Sequence, residues 1–194
     1  MSGIFTSALI GFFAYAGVGI ASADTQQQIA PEAPTYKSIS VSMTGYNAVA
    51  AQTDGDPYTT ASGAYSDPDV VAARSVDLAD QLPFGTVIEI DTTSSTSTTC
   101  GLSLVDDTVG YRVIADSMHP RKRNQIDLLF HTSDKVRAGG RIVNAAVALG
   151  VCKNVSIKII GHVDIAHMPK NQEELKLAIG QLDKAPAGNL VVSK

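Results

Sequence analysis

Tryptophan is absent from the chain, and aromatic residues make up only 6% of its 194 positions. With so few stacking surfaces, a reader of single-stranded bases is a poor fit. Basic residues are scarce too: 15 Lys and Arg stand against 19 Asp and Glu, a formal net charge of −4. A general nucleic-acid binder shows a basic balance or a basic face, so no nucleic-acid partner is expected. Histidines number four and cysteines two. His119, His131, His162 and His167 have no HExxH-type spacing. Two cysteines with no His or Cys at ligand spacing do not make a zinc site, so neither a metal nor a cofactor is expected.

A long apolar run is also missing. The one uncharged apolar stretch, residues 8–23, is shorter than the roughly 20 residues needed to span a bilayer. It ends in Ala21-Ser22-Ala23, a small-x-small pattern that predicts a signal peptide over residues 1–23 with Asp24 as the mature start. Met1–Ser7 carries no Lys or Arg, so an uncleaved N-terminal anchor is the other reading, and membrane contact is expected only in that case. Either way the folded part is expected outside the cytoplasm, secreted or in the cell envelope. Cys100 and Cys152 fit that compartment as a single disulfide; the other reading is two buried free thiols.

What is present is enough apolar residue, 44%, for one core, and a monomer is expected. Asp24–Lys37 is rich in Gln, Pro and Ala without periodicity and reads as a flexible linker over residues 24–37. Ile39, Val41 and Met43 then alternate with serines, predicting a half-buried strand to about Tyr46. The polar stretch 51–63 carries Asp-Gly and Asp-Pro turn signals; its Thr59, Thr60 and Ser62 suit hydrogen bonding to a sugar, although a solvated surface loop fits equally. Val70–Arg74 is a short apolar segment, and Leu82-Pro-Phe-Gly85 is a turn feeding a strand over Thr86–Ile90. Thr92–Thr99 is a Ser/Thr loop. Cys100–Val105 and Tyr111–Ala115 read as a hairpin, with Asp106 and Asp107 as turn residues. His131–Gly140 is irregular and holds a Gly-Gly turn. Ile142–Leu149 is predicted as a short helix stopped at Gly150, and Val155–Val163 as a last strand. In the tail, residues 164–194, Asn171–Glu174 resembles a capping box ahead of a stripe of Leu175, Ala178, Ile179 and Leu182. Many short strands with long connections predict a small closed β-barrel over residues 38–163 rather than a doubly wound sheet.

The chemistry is expected in Val113–Phe130. Asp116 and Asp127 each sit on a short apolar run, with a turn rich in Pro, Asn, Arg and Lys between them. Strand, polar connection, strand is a simple way to bring two carboxylates to one sheet edge. Two carboxyls brought close cannot both ionise freely, so one pKa should rise, as a general acid working near neutral pH requires. Arg121, Lys122 and Arg123 contact substrate carboxylates, hold Asp116 and Asp127 ionised, or form a solvated basic turn, and His119 reads as a turn residue.

Six short motifs occur in order: Met43-Thr-Gly-Tyr-Asn47, Thr60-Ala-Ser-Gly63, Leu82-Pro-Phe-Gly-Thr86, Ile114-Ala-Asp116, Asn124-Gln-Ile-Asp127 and Ala148-Leu-Gly150. Together they resemble the three-aspartate domain of membrane-bound lytic transglycosylases of the A type and of spore-former muralytic proteins, over roughly Ile39–Gly161. The eleven-residue step from Asp116 to Asp127 is similar to the spacing of that family's second and third aspartates. The resemblance implies a six-stranded double-psi β-barrel. It also implies cleavage of a peptidoglycan glycan strand between N-acetylmuramic acid and N-acetylglucosamine, leaving a 1,6-anhydro end. It makes Asp116 and Asp127 the catalytic pair and suggests Tyr46, Thr60, Ser62, Arg121 and Asn124 as substrate contacts. For the first aspartate, Asp80 and Asp77 are candidates, though neither keeps the usual register. The family's glycine-rich connection is replaced here by Ser117-Met-His-Pro-Arg-Lys-Arg123. A non-catalytic wall-binding barrel and a hydrolase of another β-linked glycan are the competing expectations.

Overall fold

Alternation of apolar and polar residues dictates most of what the computed structural model contains. It describes residues 35–53, 55–92 and 100–182. The expected signal peptide, nearly all of the linker and the Ser/Thr loop lie outside the described residues. Eight strands follow in chain order: β1 (Lys37–Asn47), β2 (Val71–Arg74), β3 (Thr86–Ile90), β4 (Tyr111–Ser117), β5 (Gln125–Phe130), β6 (Lys135–Ala138), β7 (Arg141–Asn144) and β8 (Cys152–His162). Three helices join them: α1 (Leu102–Val109), α2 (Ala145–Leu149) and α3 (Gln172–Leu182). Among the described residues no helix is long and apolar enough to cross a membrane.

Six strands close a barrel in the order β1-β5-β2-β4-β3-β8, and β6 and β7 form a separate hairpin. Pairing is parallel between β1 and β5 and between β2 and β4, and antiparallel elsewhere in the barrel. Closure leaves no barrel strand with an unpaired edge, which matters for strands as short as β2. The period of two sorts each strand's side chains. Ile114, Ile126, Leu128 and Ile157 join one buried cluster with α1 and α2, while Val71, Val113 and Leu129 join a second beneath α3.

Several expectations need correction. The segment after Cys100 is a helix rather than the first arm of a hairpin. Leu102, Val105 and Val109 repeat at helical spacing and are buried, so Asp106 and Asp107 lie on the exposed face of α1 instead of in a turn. Over two turns that repeat is too short to outweigh the β-branched and turn-forming composition. Gly101 permits the packing: a Cβ there would lie 1.9 Å from the Ala148 carbonyl oxygen of α2. Ile142–Leu149 is not one helix. Arg141–Asn144 pairs with Lys135–Ala138, and the helix starts only where the Asn144 side chain accepts from the Ala146 amide at 2.9 Å. The stretch His131–Gly140 is correspondingly less irregular, since Gly139-Gly140 is the tip of this hairpin, with φ of 55° and 80°. Finally, β4 and β5 are not a hairpin: β2 lies between them and pairs with both.

Other expectations match the structure. Cys100 and Cys152 form a disulfide that ties the start of α1 to the start of β8. The Asn171 side chain accepts from the Glu174 amide at 2.9 Å, and Leu175 and Ile179 are buried against the barrel. The Gln172 side chain latches α3 further, accepting from the Tyr111 amide at 3.0 Å and donating to the Tyr111 carbonyl at 2.7 Å.

Candidate active site

Ala73, a small residue within the shortest barrel strand, β2, is where the ladders of the two aspartates meet. In the β2–β5 ladder Ala73 pairs with Asp127, and in the β2–β4 ladder it pairs with Asp116. Residues directly opposite in a ladder share a face. Adjacent strands lie about 4.8 Å apart, so the two aspartate backbones straddle Ala73 at roughly 10 Å, with only a methyl group between them. This arrangement depends on a bulge. Ala72 pairs with Ile114, but Ala73 pairs with Asp116, so β4 carries one extra residue, Ala115. In regular pairing Ala73 would face Ala115, and Asp116 would point away from Asp127. The bulge re-aims it.

The Thr60–Gly63 motif seats on this bulge. Gly63, at φ 84°, lets the chain turn so that its amide donates to the Thr60 carbonyl at 2.9 Å. The turn delivers the Ala61 amide to Asp116 Oδ1 at 2.9 Å and the Ser62 amide to the Ala115 carbonyl at 3.1 Å. The Ser117 amide also donates to Asp116 Oδ1, at 2.8 Å, and the Tyr46 hydroxyl donates to Oδ2 at 3.0 Å. Asp116 is therefore fixed by three donors. Burial, reinforced by the charge of Asp116, pushes the Tyr46 phenol far above its ordinary pKa, so it remains a donor throughout the physiological range.

Asp127 has a different environment. One donor reaches it, the Thr44 hydroxyl at 2.8 Å, which itself accepts from the Gln125 side-chain amide at 2.8 Å. Burial pushes the Asp127 carboxyl up to about 6, with the charge of Asp116 adding to it; the Thr44 hydrogen bond and the charge of Lys122 pull the other way and do not win. The pair thus consists of a rigid acceptor and a neighbour whose proton is exchangeable near neutral pH.

A cleft of about 630 Å³ opens above them. Its floor includes Tyr46, Ala73, Asp116 and Asp127; one wall is the loop of Gln52, Thr53, Asp56, Thr59, Thr60 and Ser66, and the other is Ser117–Pro120 with Lys122. Of the expected substrate contacts, Tyr46 and Thr60 line the cleft. Ser62 stands one hydrogen bond behind, 3.0 Å from the Thr60 hydroxyl. Arg121 and Asn124 lie outside the lining. Asn124 adopts φ 46° and ties the basic turn down, its amide donating to Asp77 at 2.9 Å and its side chain donating to the Ser40 carbonyl at 3.2 Å. Neither candidate for a first aspartate lines the cleft. Asp77 is an exposed anchor whose carboxyl is held below its ordinary pKa by hydrogen bonds from the Ser75 side chain and the Asn124 amide. Asp80 is exposed, and its charge acts on Arg74 rather than on the pair.

Sequence reasoning passed over Thr44 and Ala73, and named Lys122 only together with Arg121 and Arg123 of the basic turn. Thr44 carried a signal, since it lies two residues before Tyr46 on the same strand face. Ala73 carried none, because its importance comes from the register of two partners distant in sequence. Among the described residues no group of three or more His, Cys, Asp or Glu could hold a metal ion. Compared with protein-family models and with curated proteins, the chain finds no match in either.

Proposed function

We propose that the protein is an exported lytic transglycosylase that cleaves a peptidoglycan glycan strand. The observation that supports this best is the pair over Ala73, in which one carboxyl is fixed by three donors and the other is pushed up to about 6 in the same cleft. Asp127 in its acid form protonates the glycosidic oxygen as the bond from the muramyl anomeric carbon breaks. The muramyl 6-hydroxyl then closes onto that carbon and gives its proton back to Asp127, restoring the acid and consuming no water. Asp116 stays in place beside the developing positive charge on the sugar ring, oriented by Tyr46 and two amides. Because the nucleophile is part of the substrate, no water pocket between widely spaced carboxyls is needed. The hexagonal face of a sugar and its hydroxyls would meet the hydroxyl-bearing wall of Thr53, Thr59, Thr60 and Ser66.

A second reading, a barrel that binds the wall without cutting it, is favoured by one observation: Asp77 and Asp80 both lie outside the cleft. Incubation of the purified chain with cell-wall sacculi, followed by mass spectrometry of the soluble products, separates the two. Anhydro-muropeptides that disappear in Asp116→Asn and Asp127→Asn support cleavage by the pair. Retention on sacculi without any product supports the binding module, and reducing-end products identify a hydrolase instead.

A further inference from the structure

The cleft is electrically lopsided. Its floor carries the two aspartates, and the loop wall contributes hydroxyls, one amide and the single charge of Asp56. The opposite lip contributes His119 and Lys122. That lip is built to a definite shape: the Met118 amide donates to the Arg74 carbonyl at 2.9 Å, the Lys122 amide to the His119 carbonyl at 2.9 Å, and the Asn124 amide to Asp77. The three cations of the turn are used differently. Arg123 folds back onto the Pro120 carbonyl at 2.7 Å, and Arg121 lies outside the cleft lining. Lys122 alone of the three lines the cleft, and among the described residues it forms no ion pair. His119 Nδ1 accepts from the Arg121 amide at 3.2 Å, so the neutral ring carries its proton on Nε2 and keeps a donor to offer.

We propose that Lys122, with His119 beside it, forms a subsite for an anionic substituent of the glycan, so that the substrate is a chain bearing a carboxylate or phosphate next to the bond that is cut. This rests on the proposed cleavage of a glycan in the same cleft, and it adds the class of strand selected. Lys122 and His119 are exposed at the lip of the cleft, free to meet an incoming strand. A lysine there makes a charge-assisted contact with either anion because it acts as a point charge. Docking has a second effect on the floor. The groups acting on Asp127 are Thr44, Lys122 and Asp116, and of these Lys122 is the one whose charge a bound anion cancels. With that charge cancelled, the acid form of Asp127 is favoured when the correct strand is in place.

The test measures binding, so that it does not depend on cleavage. The full chain carrying Asp127→Asn is sedimented with three sacculus preparations: untreated, treated with carbodiimide and ethanolamine to amidate the carboxyls, and stripped of phosphodiester polymers with hydrofluoric acid. Affinity should fall about tenfold on the preparation that has lost the recognised anion, the loss expected for one charge-assisted contact. Loss on amidation identifies a carboxylate, and loss on stripping identifies a phosphate. Lys122→Gln in the same background should bind untreated sacculi about tenfold more weakly and ignore both treatments, whereas Lys122→Arg should keep the preference. Undiminished binding by Lys122→Gln, continued sensitivity of that variant to the treatments, or no binding to any preparation overturns the subsite. If the Lys122 dependence holds but the unmutated chain releases no anhydro-muropeptides, the cleavage reading fails and the subsite stands.

Discussion

Replacing Asp127 by Asn should make the protein more stable and inactive at once. An ordinary aspartate ionises near 3.8, and Asp127 ionises near 6 because burial disfavours its charge. The group therefore holds its proton more tightly folded than unfolded. Stability from that preference is fully present below about pH 4 and is lost as pH rises through about 6. At about 1.4 kcal/mol per tenfold in proton affinity, the charged form costs up to about 3 kcal/mol at neutral pH. The open side of the cleft screens part of this, leaving an expected 1–3 kcal/mol. Asparagine cannot ionise, yet its carbonyl can still accept from Thr44, so the variant avoids the cost without losing the contact. Urea denaturation of both proteins should give the variant a higher midpoint at pH 7.5, by about 1–3 kcal/mol, and matching midpoints near pH 3.5. A variant less stable than the parent at neutral pH, or a difference that does not change with pH, would refute the account of Asp127.

Three further outcomes are expected. Ala73→Val, which adds two methyl groups between the aspartates on a strand that tolerates β-branching, should leave the circular dichroism spectrum unchanged and reduce product release about a hundredfold, since displacing catalytic groups by about an ångström costs that much. Undiminished release by a folded Ala73→Val would show that the spacing over Ala73 is not used. Reduction of the Cys100–Cys152 bond, which closes a separation of 52 residues, should lower the free energy of unfolding by about 4 kcal/mol in the chain-entropy account, read from denaturation with and without reductant. Gln172→Ala should release α3 while leaving the barrel folded: amide hydrogen exchange should speed up in residues 172–182 and stay slow in β5, and equal exchange in α3 would mean that Leu175 and Ile179 hold it alone.

The barrel was legible where local pattern and tertiary demand agree. Ile39, Val41 and Met43 alternate because β1 has one face against a core, and the same holds for Val155 and Ile157 of β8. The pattern failed where two periods compete over a few residues, as in α1, where Leu102, Val105 and Val109 support a helix that Thr108 and the paired aspartates disfavour. The two aspartates were legible as residues but not as a pair, because what joins them is Ala73, more than forty positions away from Asp116 and recognisable only once β2 is seen to separate β4 from β5. Lys122 and Arg121 are chemically alike and adjacent, and only the path of the turn decides which of them meets the cleft.

The bulge at Ala115 makes the site a matter of counting. A substitution at Asp116 or Asp127 alters the chemistry in the ordinary graded way, by changing one side chain. Removing a single residue from β4 would leave both aspartates in the chain, both strands in the barrel and most of the core intact, while turning one carboxyl to the other side of the sheet. Related sequences are therefore best compared by the length of the segment from Tyr111 to Asp116 before they are compared by its letters. A barrel one residue shorter there would keep every recognisable aspartate and have no pair.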